Sequence, residues 1–204
     1  MKALQRLSQM MDIKNIRLSP EELKPKYPVN SEINRKISHW SGDITLLKIE
    51  AIVNAAHPGL TGGGGVDGYI HMRAGEGLRT ECLGLGGCAI GEAKITKGHL
   101  LPCEYVIHTV GPCREDPIEL EKCYINSLQL LVSKGLKVIA FPCISTGHYS
   151  FPIIKATQIA LEATRKWLNN PQNYPKIERI IFCTYTVRDE ALYEALMNVY
   201  YPTQ

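Results

Sequence analysis

Residues 53–71, VNAAHPGLTGGGGVDGYIH, place four consecutive glycines, Gly62–Gly65, directly before Val66 and Asp67. Consecutive glycines allow backbone N–H groups to point into one concavity, with no Cβ atom in the way of a ligand. The helix predicted to follow them adds the partial positive charge of its N-terminus. The loop therefore predicts a phosphate or diphosphate site. The alternative is a flexible turn, which requires fewer glycines than four.

Two common phosphate-binding motifs fit this loop poorly. A P-loop of nucleoside triphosphatases needs GxxxxGK[ST], and no Lys-Ser or Lys-Thr follows the glycines here. Gly63, Gly65 and Gly68 satisfy the dinucleotide pattern GxGxxG. However, the glycines do not follow the preceding strand at once, and no acidic residue stands out about 20 positions later, as that fingerprint requires. A nicotinamide-dependent oxidoreductase is therefore only a third interpretation.

A second loop has a similar design. The apolar run that ends near residue 144 is followed by Ser145, Thr146, Gly147, His148 and Tyr149, and a helix is predicted from about Pro152. Small hydroxyl residues and a glycine after a buried strand can supply further phosphate donors, and an aromatic ring can close over a sugar. Together, the two loops predict a pair of clamps on a diphosphate.

Strands and helices alternate along the chain and would position these loops. Apolar runs predict strands over residues 36–40, 51–54, 93–96, 105–110, 137–144 and 179–186. Helical patterns cover residues 66–75, 117–135, 151–168 and 188–200. The last two strand runs are unbroken and rich in Val, Ile and Phe, which is typical of strands buried on both faces. We expect an α/β fold with helices on both faces of one sheet, and a ligand at the carboxyl ends of its strands.

The length of 204 residues fits one domain, which we place at residues 36–204, with residues 1–35 as an N-terminal extension rich in proline and charge. The formal net charge is only +3, and no cluster of Lys and Arg with interleaved aromatic residues supports nucleic-acid binding. No stretch approaches the roughly 20 apolar residues of a membrane span. The first eleven residues could form a mitochondrial targeting helix, although an ordinary helix is the simpler interpretation.

The seven cysteines form neither a CxxC pair nor a zinc-finger spacing with histidine. Several lie inside apolar runs, so we expect buried thiols in a reducing compartment, either cytoplasmic or nuclear. No set of metal ligands is visible, and we expect chemistry that needs neither a metal nor another cofactor.

Six segments resemble the macrodomain family, and its MacroD-type branch in particular: GDIT (42–45), AIVNAA, GGGGVDGYIH, GEAKIT, LPCEYVIHTVGP and FPCISTG. They occur in the family's order and spacing from about residue 36 to residue 200. The resemblance implies a three-layer α/β/α fold with a mixed central sheet and ADP-ribose as the ligand. It also implies a monomeric hydrolase that removes mono-ADP-ribose from acidic side chains of proteins and deacetylates O-acetyl-ADP-ribose.

By position, the resemblance assigns Asp43 to the adenine amino group, with Ile44 beside it, and Tyr185 to stacking on the adenine ring. Asp67 matches the acidic residue that activates or orients the attacking water, which makes it the predicted catalytic residue. The other predicted ligand-binding residues surround the distal ribose and the diphosphate: Asn54, His57, Gly63, Gly64, Gly65, Val66, Ser145, Thr146, Gly147, His148 and Tyr149. Without the resemblance, Asp67 could equally stabilise the N-terminus of its own helix.

The chain departs from the family pattern at His57, where the family has an asparagine that contacts the distal ribose. A neutral imidazole also offers one donor and one acceptor, but on a larger ring. Loss of one positioned donor can slow catalysis by about 10²–10³. The alternative function is therefore an ADP-ribose reader with little or no hydrolysis. Smaller departures are Arg73, shifted by one position relative to His71, and Ser150 in place of a frequent glycine.

Overall fold

The computed structural model describes residues 18–204, so the predicted N-terminal helix of residues 1–11 lies outside the described residues. Strands β1 to β6 span Ile37–Ser41, Ala51–Ala55, Ala93–Lys97, Tyr105–Thr109, Val138–Phe141 and Arg179–Thr184. Helices α1 to α6 span Ser31–Asn34, Gly65–Ala74, Glu76–Gly84, Pro117–Ser133, Ile153–Asn169 and Val187–Tyr200. Short 3-10 helices cover Ile44–Leu46 and Tyr174–Lys176.

Within the described residues the strands form one mixed sheet in the order β1-β6-β5-β2-β4-β3. Only the β3–β4 pair of this sheet is antiparallel, and the remaining neighbours are parallel. The carboxyl ends of five strands therefore meet at one edge. Parallel strands need crossover helices, and these helices cover both faces of the sheet.

Alternate strand residues enter two separate apolar cores, one on each face. Val53 and Ile107 pack with helices α4, α5 and α6. Ile52 and Val106 pack with α2 and α3 on the opposite face. The period of two along β2 and β4 thus produces a helix layer, a sheet layer and a second helix layer. This confirms the predicted three-layer α/β/α architecture with a mixed central sheet.

All six predicted strands are present, but three end earlier than expected. β4 ends at Thr109, β5 at Phe141 and β6 at Thr184. Pro142 offers no N–H to the sheet after β5, and residues that follow β5 and β6 line the cleft described below. The pattern analysis missed helices α1 and α3. In α3, Gly77 and Gly84 interrupt the helical signal of a short segment.

Arg165 of α5 fastens the N-terminal segment to the domain. Its side chain is almost completely buried and donates hydrogen bonds to the carbonyl oxygen of Pro28 at 3.2 Å and that of Tyr200 at 3.0 Å. The guanidinium also lies 4.8 Å from the ring centroid of Tyr27. The described part of residues 1–35 is therefore packed against α5 and α6. The domain boundary at residue 36 stays a prediction.

Replacing this arginine should destabilise the fold. Arg165→Met leaves the buried carbonyl of Tyr200 and the carbonyl of Pro28 without their donor, so we expect the free energy of unfolding to fall by about 2–4 kcal/mol. Urea unfolding measures this change. Lys166→Met is the matched control on the same helix, because Lys166 is half exposed and forms only surface ion pairs. Equal losses in the two variants would contradict an anchoring role for Arg165.

Candidate active site

A cleft of about 700 Å³ opens at the carboxyl ends of the parallel strands, a size typical of small-molecule sites. Loops that follow β1, β2, β5 and β6 form its walls. With the exception of Asn54, every predicted site residue lines this cleft: Asp43, Ile44, His57, Gly63, Gly64, Gly65, Val66, Asp67, Ser145, Thr146, Gly147, His148, Tyr149 and Tyr185. The fold thus brings together residues that are up to 142 positions apart in sequence (43 to 185).

The glycine loop passes directly into α2. Gly64 caps this helix without a side-chain hydrogen bond, so the amides of the first turn are open to a ligand. Gly65 has a φ angle of +58°, which favours glycine. A Cβ atom at Gly68 would lie 2.3 Å from the carbonyl oxygen of Gly63. The close packing of the loop against the helix therefore requires a glycine at position 68.

Asp67 is 4% exposed and lies in the first turn of α2. Its Oδ1 atom accepts a hydrogen bond of 2.7 Å from the amide nitrogen of Asn54, and its Oδ2 atom accepts one of 3.3 Å from the backbone N–H of His57. Both oxygens are thus held by groups outside its own helix. This arrangement orients the carboxylate at the cleft wall, which is more than stabilisation of the N-terminus of α2 requires.

His57 contributes to the site through its backbone. Its side chain is exposed, and the Nδ1 atom accepts a hydrogen bond of 3.1 Å from the backbone N–H of Gly59. This is the local bond that an asparagine oxygen makes in an Asx turn. The contact between His57 and Asp67 is made by the main chain. The replacement of asparagine by histidine therefore preserves the support of Asp67.

Asn54 lies behind the cleft wall and connects Asp67 to the sheet. Its side chain is fully buried, and its amide nitrogen lies 3.1 Å from Nδ1 of His108. Because an amide nitrogen only donates, Nδ1 accepts, and Nε2 of His108 donates to the Thr96 hydroxyl at 2.9 Å. Burial lowers the pKa of His108 to about 3. The ring is therefore a neutral support on which the Asn54 amide is oriented.

His71, Cys82 and His108 form a cluster in which one candidate ligand atom from each lies within 4.8 Å of the others. The Nε2–H bond of His108 points to Thr96. Burial raises the pKa of the Cys82 thiol to about 11 and lowers the pKa of His71, while Asp67 acts on His71 in the opposite direction. A metal needs a thiolate and free imidazole nitrogens. Because Thr96 uses the Nε2–H of His108 and the Cys82 thiol keeps its proton, the cluster fits a neutral network better than a metal centre.

The opposite end of the cleft is built around Asp43. Its Oδ1 atom accepts hydrogen bonds from the backbone N–H of Thr45 at 3.0 Å and from the Thr45 hydroxyl at 2.6 Å. Its Oδ2 atom pairs with Arg73 at 3.1 Å. Ile44 is buried beside it, whereas the Tyr185 ring is 76% exposed at the rim. A carboxylate beside an open aromatic face suits a flat ring that carries an amino group.

The second loop is locally strained. Ser145 has a φ angle of +65° and Ser150 one of +53°, conformations that cost a residue with a side chain about 1 kcal/mol or more. The Ser145 hydroxyl is buried and has no hydrogen-bond partner among the described residues. Thr146 donates its hydroxyl to the carbonyl oxygen of Cys143 at 3.0 Å. The loop is therefore preformed, with one polar group ready for a ligand.

The sequence patterns missed the cleft residues Tyr69 and Asp189. They also missed the pairing of Arg73 with Asp43, although Arg73 does not itself line the cleft. Tyr69 lies on α2 and is 54% exposed at the cleft. Arg73 was noted only as a departure from the family pattern. Asp189 follows the last strand in the sequence Thr186-Val-Arg-Asp189, where the Thr186 hydroxyl accepts a hydrogen bond from its backbone N–H. Such a capping pattern at the carboxyl end of a strand is the signal that could have found it.

Comparison with known proteins agrees with the fold and with this cleft. Residues 53–160 match the family model described as Macro domain. The chain is 46% identical over 184 residues to the ADP-ribose glycohydrolase MACROD1 of Mus musculus, covering 87% of this chain and 56% of that protein. It is 48% identical over 157 residues to a macro domain-containing protein of Chlorobaculum tepidum, covering 74% of this chain and 90% of that protein.

Solved structures agree as well. A crystal structure of a Trypanosoma brucei macrodomain in complex with ADP-ribose matches with a TM-score of 0.78 and 43% sequence identity, covering 86% of this chain and 74% of that chain. This chain belongs to the macro domain family. Its resemblance to the MacroD-type branch is also confirmed, although the chain spans only about half the length of the mouse relative.

No helix among residues 18–204 combines the length and the apolar character that a bilayer crossing requires. Of the cysteines, which all lie in the described part of the chain, Cys113 is exposed and Cys143 is half-buried, while the other five are buried. The expectation of buried thiols therefore fails at Cys113, which lies in the polar loop between β4 and α4.

The buried His108 should make the fold sensitive to acid. An unfolded histidine binds a proton near its ordinary pKa of 6.5, whereas folded His108 stays neutral down to about pH 3. Because the unfolded state then binds more protons, stability falls as the pH falls below 6.5. Relative to pH 8, we expect His108 to contribute a loss of about 2 kcal/mol at pH 5. Urea unfolding of the wild type and of His108→Gln across this pH range measures the loss. An equal dependence of the unfolding free energy on pH in the two proteins would refute the assignment.

Proposed function

We propose that this protein binds ADP-ribose and hydrolyses mono-ADP-ribose from acidic residues of proteins, and that it also deacetylates O-acetyl-ADP-ribose. The observation that carries the proposal is the cleft itself. A carboxylate held by two amide donors, at Asp67, shares one cavity with two loops suited to a diphosphate and with a base site at Asp43. The name of the mouse relative and the ligand of the trypanosomal structure support the same activity.

The geometry suggests how ADP-ribose lies in the cleft. Its adenine contacts Asp43 and Tyr185, and its diphosphate lies between the glycine loop and the second loop. No Lys or Arg is among the residues found to line the cleft within the described chain. The two phosphate charges are therefore held by backbone N–H groups and helix N-termini. This arrangement leaves the distal ribose beside Asp67 and Tyr149.

Hydrolysis then requires water at one face of the ribose carbon C1″. Asp67 accepts a hydrogen bond from this water and takes its proton as the water oxygen bonds to C1″. The bond between C1″ and the carboxyl oxygen of the modified residue breaks, and the electron pair leaves with that carboxylate. Because Asn54 and His57 fix both oxygens of Asp67, the carboxylate is oriented before the substrate binds.

We also propose that the protein works in a reducing compartment, the cytoplasm or the nucleus. All seven cysteines are free thiols, which is usual where disulfides are rare. The localisation of the full-length protein in cells tests this proposal, and mitochondrial targeting by residues 1–11 would overturn it. Modified proteins as partners and the monomeric state remain predictions.

Asp67 should be essential for turnover but not for binding. For Asp67→Asn, we expect single-turnover release of ADP-ribose from a protein mono-ADP-ribosylated on glutamate to slow by about 10²-fold or more, because the base is lost. Affinity for free ADP-ribose, measured by calorimetry, should change only a few-fold. The assay contains EDTA, since no metal is expected in the reaction. Release that is unaffected in Asp67→Asn would exclude the mechanism.

Gly147→Glu is the matched control for binding. A Cβ atom at this position meets no atom within 4 Å, so folding should be preserved. The added carboxylate, however, stands in the phosphate loop and repels the diphosphate. We expect this variant to lose both binding and release. If the wild type binds ADP-ribose but releases none from the modified protein, the result would instead support the alternative function of an ADP-ribose reader.

The reader hypothesis rests on His57, and the backbone contact of His57 with Asp67 supports a small effect of its side chain on turnover. In His57→Asn, the asparagine oxygen can accept the same hydrogen bond from Gly59, and the backbone N–H continues to hold Asp67. We therefore expect release rates within about threefold of the wild type, measured in the same single-turnover assay. An increase of 10²-fold or more would show instead that the histidine ring impairs the distal ribose site. His57→Ala tests whether the local bond to Gly59 matters at all.

A further inference from the structure

A third carboxylate, Asp189, lines the cleft without a hydrogen-bonding role. Asp189 is 7% exposed and belongs to the first turn of α6. Its Oδ1 atom is buried and has no hydrogen-bond partner among residues 18–204. Arg188 Nε is 3.9 Å from this atom, which is too far for a hydrogen bond. A buried carboxylate is costly unless a donor satisfies it, so this group requires an explanation.

Capping of α6 does not supply that explanation. Thr186 is the N-cap residue, and its hydroxyl accepts a hydrogen bond of 3.1 Å from the backbone N–H of Asp189. The cap therefore uses the main chain of Asp189 and leaves its carboxylate free. Favourable interaction with the helix N-terminus is available to any acidic residue of this turn, including the neighbouring Glu190. Burial at the cleft wall is not needed for that interaction.

The strand order fixes where Asp189 lies along the cleft. Helix α6 follows β6, and β6 is paired with β1 on one side and β5 on the other. Asp43 follows β1, and the loop from Ser145 follows β5. Asp189 therefore lies between the base end and the phosphate end, on a cleft wall to which Cys143 and Cys183 also contribute. Between an adenine and a diphosphate, ADP-ribose has only the ribose of its adenosine half.

We propose that Asp189 accepts a hydrogen bond from a hydroxyl of the adenosine ribose and thereby selects ribonucleotides. This inference rests on the proposed binding of ADP-ribose. The vicinal 2′- and 3′-hydroxyls are donors, and an ionised carboxylate is the strongest acceptor that a side chain offers them. Acidic residues recognise ribose hydroxyls in the same way in dinucleotide-binding folds. The buried acceptor thus obtains its donor when the ligand binds.

The test compares ADP with its 2′-deoxy and 3′-deoxy analogues by calorimetry, on the wild type, Asp189→Ala and Asp189→Asn. We expect the wild type to bind ADP about tenfold or more tightly than at least one analogue, as a charge-assisted hydrogen bond implies. Asp189→Ala should bind ADP and that analogue equally, both at the weaker affinity. Asp189→Asn keeps the shape of the side chain and should show an intermediate preference.

Glu190→Ala is the matched control, because it removes a carboxylate from the same turn of α6 outside the residues that line the cleft. It should retain the wild-type preference for ADP. Equal wild-type affinity for ADP and both analogues, or an unchanged preference in Asp189→Ala, would overturn the proposal and leave Asp189 a structural residue. Failure of the wild type to bind any of the nucleotides would overturn the proposed function itself, which is a distinguishable result.

Discussion

The hydrogen bond from the Asn54 amide is the interaction on which the orientation of Asp67 depends. One side chain on β2 donates to the carboxylate of Asp67 and to the ring of His108 at once. Both bonds use the same amide nitrogen, so His108 fixes the orientation of Asn54, and Asn54 in turn fixes Asp67. Because the histidine is sealed in the core and donates onward to Thr96, the chain of bonds begins in the most rigid part of the sheet.

Charge is distributed along the cleft in a way that favours an anion despite three carboxylates. Asp43 is paired with Arg73, and the oxygens of Asp67 are bound by amides. The Oδ1 atom of Asp189 lies 3.9 Å from Nε of Arg188. Their fields at the phosphate loops are therefore reduced, while the loops present N–H dipoles at short range. Amide donors lose less hydration than ammonium groups when a phosphate arrives. A cleft of this kind can hold a phosphate without a lysine or arginine among the described residues that line it.

Sequence patterns were sufficient for the architecture and for the two phosphate loops, whereas the family resemblance supplied the rest of the cleft. The reason why patterns suffice for the former is physical. The runs that became β2, β5 and β6 are strongly apolar, and the strand period places the residues that follow them at one sheet edge. The four glycines have few other uses in a folded domain. Local signals of this kind survive in a single sequence, so the glycine loop, Gly62–Gly65, could be found without coordinates.

Long-range pairings could not be found in the same way. The family resemblance predicted Asn54 as a ligand contact, but the fold places it behind Asp67, and only the position of His108 shows why. The role of His57 also depended on a backbone direction that Pro58 restricts without determining. Arg73 reaches Asp43 only because α2 packs beside the short 3-10 helix that follows β1. Such contacts join segments whose separate patterns carry no information about each other.

The position of His57 has a wider consequence for how this cleft tolerates change. A catalytic carboxylate that is oriented by a main-chain N–H can keep its geometry when the side chain at that position is replaced, since every residue except proline supplies the same donor. The side chain is then free to vary with the substrate that approaches the cleft. In this protein the imidazole closes its own turn through Gly59. The orientation of Asp67 therefore depends on backbone geometry and on Asn54, and less on the identity of residue 57.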